Sequence, residues 1–352
     1  MAASASDAKP IFMNLLAGMA RLQAIICGMI NRRSVVAALA AISVLLWAAL
    51  DATAQSYPQR PVRLIVPAPA GGPTDVPGRL IADGLSGLFS QRFVVENRVG
   101  AGGLVAGEFV ARSEPNGYTL LYANTSVLAV NPALQGTNMP YDPATAFAPI
   151  GFVSNSPQLL VANPKVPYRS VQELVAWAKS NPGKLNFATA GVGTLPHLTY
   201  ELFRMEAGIR ALNVPYAGGA PALTAVIAGQ ADVLFDLVRT RVKSGEVRAL
   251  AITGASRDAD LPDIPTLAES GYPAVTSTSG TGIVAPAGIS REIVALLNSK
   301  LNELIERPET QGRMKAFGLV PQSGAPEEFG AWAAQERERW TRVVRQSGAK
   351  VD

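Results

Sequence analysis

From residue 57 onward, short apolar runs alternate with longer amphipathic stretches, and the boundaries between them fall on glycine and proline. Residues 62 to 66 (VRLIV) form an apolar, β-branched run closed by Pro67 and Pro69. This reads as a buried strand, because proline ends a ladder and keeps the preceding residue extended. The next residues, APAGGPTD, place Gly71 and Gly72 in a turn that another group can approach closely. Thr74 or Asp75 is then positioned to cap the helix suggested by RLIADGLSGLF at 79 to 89. Such a turn is either a plain strand-to-helix connection or an anion cradle, since free N–H groups and the helix dipole favour negative charge.

The same pattern recurs. FVVENRVGAGGLVAGEFVAR (93 to 112) runs from a strand through Gly100, Gly102 and Gly103 into a helical stretch. KLNFATAGVGTLPHLTYELFRM (184 to 205) passes through Gly191 and Gly193 into a helix with Leu198, Leu202 and Phe203 on one face. ALNVPYAGGAPALTAVIAGQADVLFD (211 to 236) repeats it at Gly218 and Gly219, with a helix from about Pro221 to Ala228 and a further strand. Strands and helices alternating at this length predict an α/β protein of βαβ units with mostly parallel sheets. Ligands in such sheets bind beyond the carboxyl ends of the strands, where these turns lie.

Two extended stretches rich in Pro, Gly and Ser, at 148 to 164 and 271 to 288, bracket a block of domain length. They predict a discontinuous first lobe, 57–155 plus 280–352, and a second lobe, 156–279, with a cleft between. Helices at 289 to 306 and 326 to 346 would return to cover the first lobe, with Trp332 and Trp340 serving packing.

The leader changes the picture of where the protein works. Arg32 and Arg33, an apolar segment from Val35 to Leu50, and Ala52-Thr53-Ala54 before Gln55 have the layout of a secretory signal peptide over about 29–54. The mature chain then begins near Gln55 and works outside the cytoplasm. Residues 1–28 precede a complete signal with its own Met29 and read as lying upstream of the true start. Without Lys9, Arg21, Arg32, Arg33, Asp7 and Asp51, 27 basic side chains face 25 acidic ones, too even a balance for a nucleic-acid partner. The only cysteine, Cys27, falls in the leader, so the mature chain has no disulfide.

Enzyme motifs are scarce. GVGTLP (191 to 196) has Pro196 where a dinucleotide fingerprint needs its third glycine, and neither a Walker sequence nor a G-x-S-x-G elbow occurs. His197 is the only histidine, which excludes an imidazole-built metal site and makes it the one base available to a triad. At a helix start it reads as a capping or packing residue. Asp236, ending the strand VLFD, faces the proposed cleft; a cap or turn role is the alternative.

In this order PAPAGGPTD with Arg79, ENRVGAGG, PNGYTLL, AGVGTLPHLTYELF, VPYAGGAPALTAVIAGQADVLFD and VRALAITGASRDADLPDIPTLAESGYP are specific. From Tyr57 to Asp352 the chain resembles the Bug-type extracytoplasmic solute receptors of tripartite tricarboxylate transporters. The resemblance implies a two-lobed, Venus-flytrap α/β binding protein, monomeric and without metal or cofactor. It implies no catalysis: the protein would close on a small carboxylate and deliver it to a membrane permease. A secreted hydrolase or isomerase using His197 and Asp236 is the rival reading. Carried over by motif, the ligand contacts are Gly71, Gly72, Thr74, Asp75, Thr125 and Ser126 in the first lobe. The second lobe would supply Gly191, Gly193, Thr194, Gly219, Ala220 and Asp236. Asp75 is better suited to capping than to meeting an anion, and Asp236 to a ligand hydroxyl, amino group or water. The chain departs from the family pattern at Val99, at Pro77-Gly78, at a missing aromatic in STSGTGIVAPAG, and after Asp236. There LVRTRVKSGE is short and carries Arg239 and Arg241, read as a solvated surface pair, with reach to an extra ligand carboxylate as the alternative.

Overall fold

The computed structural model describes residues 57–349; the signal peptide and everything before it lie outside the described residues. Among those described, no helix is long and apolar enough to cross a membrane. The strands are β1 (Val62–Val66), β2 (Phe93–Asn97), β3 (Thr119–Asn124), β4 (Phe147–Pro157), β5 (Leu159–Ala162), β6 (Leu185–Thr189), β7 (Ala211–Pro215), β8 (Val233–Asp236), β9 (Arg248–Ile252) and β10 (Thr278–Pro286). The helices are α1 (Asp75–Phe89), α2 (Leu104–Ala111), α3 (Asn131–Gln135), α4 (Val171–Ser180), α5 (Leu195–Ala207), α6 (Gly219–Ala228), α7 (Arg239–Lys243), α8 (Arg291–Glu306), α9 (Pro308–Ala316) and α10 (Pro326–Ser347).

The described strands form two sheets, ordered β2-β1-β3-β10-β4 and β7-β6-β8-β5-β9. The chain crosses from the first to the second between Pro157 and Leu159 and returns between β9 and β10. In each sheet one strand opposes the rest, β10 in the first and β5 in the second, and each is the strand that enters from the other lobe. Two of the four pairings in each sheet are therefore antiparallel, so the sheets are mixed rather than mostly parallel in pairing. Local pattern predicts the βαβ units; the reversed strand follows from the crossing.

Both faces of the second sheet are covered, which is why its strands read as continuous apolar runs. Along β5, Leu160 and Ala162 join one core cluster with Phe187, Val233 and Phe235 under α4 and α5, while Leu159 and Val161 join another with Leu234 under α6. The alternation puts Leu234, and with it Asp236, on the α6 face of β8. In the first lobe, Ile65, Leu121, Phe152 and Val284 pack with Ala106, Val110 and Phe329. Helix α10 does more than cover the first lobe. Phe329 and Trp332 pack on Phe152, but Trp340, its indole N–H donated to Glu336 at 2.8 Å, is buried in the cluster of Leu160, Leu198 and Phe203.

Candidate functional site

Between the sheets lies a cavity of about 590 Å³ lined from both lobes. Its walls are the turns at 67–70 and 72–74 and at 99–103 from the first lobe, and those at 190–192, 194–196 and 216–221 from the second. Its floor is polar: Tyr122, Asn124, Gln158, Ser279 and Thr281, with Asp236 at one side. Helices α1, α5 and α6 begin at these turns, and each carries proline in its first turn (Pro77, Pro196, Pro221), where the missing N–H costs nothing. The first N–H groups of a helix have no intrahelical acceptor, so Gly219 and Ala220 bring unspent donors to the cavity wall. Among the described residues no arginine or lysine lines the cavity, and Asp236 is the one charged side chain there.

Eight of the expected contact residues line it: Gly72, Thr74, Ser126, Gly191, Thr194, Gly219, Ala220 and Asp236. The other four stand behind the lining. Gly71 donates its N–H to Asp75 Oδ2 at 2.8 Å, and Asp75 also accepts from Arg79 Nε at 2.8 Å and Asn97 Nδ2 at 2.7 Å. Burial alone would raise the Asp75 carboxyl; the bonds from Arg79, Asn97 and Gly71 outweigh it and hold the group below the usual carboxylate range. Asp75 thus shapes the turn, while Thr74 makes no side-chain cap bond and lines the cavity. Thr125 Oγ1 accepts the Gly280 N–H at 2.9 Å, pinning the end of β3 to β10 and presenting Ser126. Gly193 meets the first lobe: a Cβ on Gly102 would lie 2.5 Å from its carbonyl oxygen. At both glycines φ is positive, so a side chain there would be strained as well as crowded.

Asp236 is nearly enclosed, 7% exposed. Its Oδ1 accepts the N–H of Leu237 at 2.7 Å, and burial pushes its pKa up to about 6 against that bond. A Cβ on Gly219 would lie 2.7 Å from Oδ2 and 3.2 Å from the Pro73 ring, so glycine is what lets the two lobes meet over this carboxylate. Gln158, 2% exposed, accepts at Oε1 from Thr199 Oγ1 and Ser277 Oγ, both at 2.9 Å, which turns its amide oxygen toward the hinge network. Its backbone N–H goes to Thr253 Oγ1 at 2.8 Å, and Thr253 donates to the Ser277 carbonyl at 2.6 Å, so the two crossing segments are bonded through one residue. Gln158 was hidden in a stretch that reads as a linker, and Tyr122 in the apolar run TLLYA that reads as core.

Residues 78–349 match the family model described as tripartite tricarboxylate transporter family receptor. The chain belongs to this receptor family. Protein BugT of Bordetella pertussis is 36% identical over 307 residues, covering 86% of this chain and 94% of BugT. Among solved structures, that of R. palustris Rpa4515 with adipate superposes with a TM-score of 0.80 at 34% identity, covering 84% of this chain and 100% of the other. MatC from Rhodopseudomonas palustris with bound malate gives 0.78 at 31% identity, covering 82% and 100%.

Membership in a family of receptors sets the hydrolase reading aside, and the geometry gives a physical reason. His197 lines a separate pocket of about 310 Å³ with Glu201, Arg204 and Asn213, away from Asp236. Burial lowers its pKa, and Nδ1 has no hydrogen-bond partner among the described residues. The arginines after Asp236 correct the sequence reading in a different way. Arg241 is exposed and pairs with Glu246, but Arg239 is 5% exposed and donates to Asp258 in its own lobe and to the Gly318 carbonyl in the other. Gly318 belongs to the first lobe because the segment after it pairs with β4: Asn155 donates to the Val320 carbonyl at 3.0 Å. Arg239 is thus an interlobe tie and not half of a surface pair.

Proposed function

We propose that the protein is a periplasmic receptor, acting as a monomer, that captures a small organic acid between its lobes and hands it to the permease of a tripartite tricarboxylate transporter. The observation that carries this reading is the convergence of three helix entrances and glycine turns from both lobes on one cavity that no side-chain cation among the described residues lines. A carboxylate held by backbone N–H groups, hydroxyls and bridging waters fits such a wall. The family relationship supports it, as do the relatives whose structures hold adipate and malate. Ligand contacts are assigned to Gly72, Thr74, Ser126, Gly191, Thr194, Gly219, Ala220 and Asp236, with Gly71, Asp75, Thr125 and Gly193 shaping the turns that present them.

Thermal melting of the protein, freed of solute by unfolding and refolding, tests this against organic acids and their neutral amides. An acid at a hundred times its dissociation constant adds about 2.7 kcal/mol and raises the melting temperature by a few degrees. The amide should leave it unchanged. If amides shift the folded protein as much as acids do, the cavity does not select a carboxylate.

A further inference from the structure

We infer that the solute carries a hydrogen-bond donor in addition to its carboxylate, an ammonium, hydroxyl or amide N–H that Asp236 accepts, and that the cleft therefore prefers amino or hydroxy acids to the plain acid of the same skeleton. The inference rests on the carboxylate-receptor reading and narrows the class of acid.

The argument begins with what Asp236 lacks. Its Oδ1 takes one backbone N–H, from Leu237, and its Oδ2 takes no donor from the described residues. That oxygen opens on the cavity and is not sealed in protein, so whatever fills the cavity, solute or water, supplies its donor. Among the described residues no cation neutralises it. Arg239, three residues on, is spent on Asp258 and Gly318; Arg79 is spent on Asp75 and Asn97; His197 opens to the other pocket. The other titratable side chains in the lining are the phenols of Tyr122 and Tyr216, and Tyr122 is pushed up to about 12 by burial, so it carries no charge either.

The fold keeps this carboxylate in the cavity. Strand alternation points Leu234 into the apolar cluster under α6 and carries Asp236 past the end of that cluster, over the bare Cα of Gly219. With Pro73 on the far side of Gly219, any side chain at 219 would displace Asp236. The opposite part of the lining, the turns at 100–103 and 191–194 with Ser126, contains no acidic side chain. A ligand carboxylate set there, beside the entrance of α5, lies away from Asp236 and leaves the ligand's donor to reach it. A second ionised carboxylate in the place of that donor would instead set two like charges against each other.

Isothermal titration at pH 8, where Asp236 is ionised, decides the matter with matched probes: succinate, malate and aspartate; hexanoate, 6-hydroxyhexanoate and 6-aminohexanoate; benzoate, 4-hydroxybenzoate and 4-aminobenzoate. In the series that binds, a donor-bearing member should bind at least tenfold more tightly than its parent. Asp236→Asn should shrink that gap to threefold or less and improve binding of the dianion. The wild-type ranking alone carries the comparison if the variant does not fold. A parent acid that binds as tightly as its hydroxy and amino derivatives overturns the inference and leaves the receptor reading standing. Silence from every acid on folded protein removes both.

Discussion

The backbone N–H of Leu195 donates to the hydroxyl of Ser126 at 3.0 Å, tying the first residue of α5 in the second lobe to the turn that follows β3 in the first. The bond is buried and crosses the cleft, so it exists only while the lobes are together. A net hydrogen bond is worth roughly 1 kcal/mol. Ser126→Ala should therefore weaken acid binding by roughly threefold to tenfold, mostly through faster release, because separation and not encounter is what the bond opposes. Stopped-flow measurement of both rate constants checks this. An unchanged release rate would remove Ser126 from closure.

Gly219 sits where closure leaves no room. A methyl group there would meet Asp236 Oδ2 at 2.7 Å and the Pro73 ring at 3.2 Å, so the carboxylate must swing and the opposing turn must yield. Gly219→Ala should cost at least tenfold in acid affinity, with the scattering radius of the acid-saturated protein larger than that of the wild type. Gly87, on the exposed side of α1 with nothing within 4 Å of an added Cβ, is the control. Gly87→Ala should leave binding unchanged and stabilise the helix by about 0.5–1 kcal/mol in urea denaturation.

The parts of this fold legible in the chain are those decided locally. VRLIV is β1 to the residue, because an apolar run stopped by proline has few alternatives, and each glycine turn lies between a strand and a helix. Helix α1 begins at Asp75, earlier than the apolar run at 79 suggests, since proline and glycine at 77 and 78 are tolerated in a first turn. The rest depends on distant partners. β10 runs against β3 because the chain returns from the other lobe, and Arg239 is buried because a carbonyl 79 residues away accepts from it. Gly71 and Asp75 match a ligand motif, yet their polar groups satisfy each other. Only the hydrogen bonds tell such support from contact.

Asp236 also gives stability a dependence on pH whose direction follows from burial. Its folded pKa, about 6, lies above its ordinary value of 3.8, so the folded protein takes up the proton first as pH falls. The stabilisation from that proton is complete below pH 3.8 and lost as pH rises through about 6. Asp236→Asn should thus stabilise the solute-free protein above pH 6 by up to roughly 3 kcal/mol and leave it unchanged at pH 3.5. His197 has the opposite trend: burial favours its neutral form, and its contribution falls as pH drops below 6.5. The difference between wild type and Asp236→Asn in urea denaturation cancels that trend. A difference that does not vary with pH would mean that Asp236 is better solvated than its burial implies.

Arg239 and Arg241 stand two residues apart and should differ sharply in what they contribute. Arg239 and Asp258 have side chains 6% and 12% exposed, and the guanidinium also holds the Gly318 carbonyl of the other lobe. Its stem lies against the Cα of Gly318, where a Cβ would come within 3.3 Å of it, so the contact is shaped as well as charged. Arg239→Met leaves Asp258 buried without its cation and should destabilise the protein by roughly 3 kcal/mol. Adding Asp258→Leu should recover much of that loss, since two apolar side chains replace a buried pair at little cost. Arg241 and Glu246 are 51% and 38% exposed, and Arg241→Met should change stability by less than about 0.5 kcal/mol. Urea denaturation of the four proteins measures each step. Equal losses for the two arginines would show that the tie from Arg239 to the first lobe contributes no more than a surface pair.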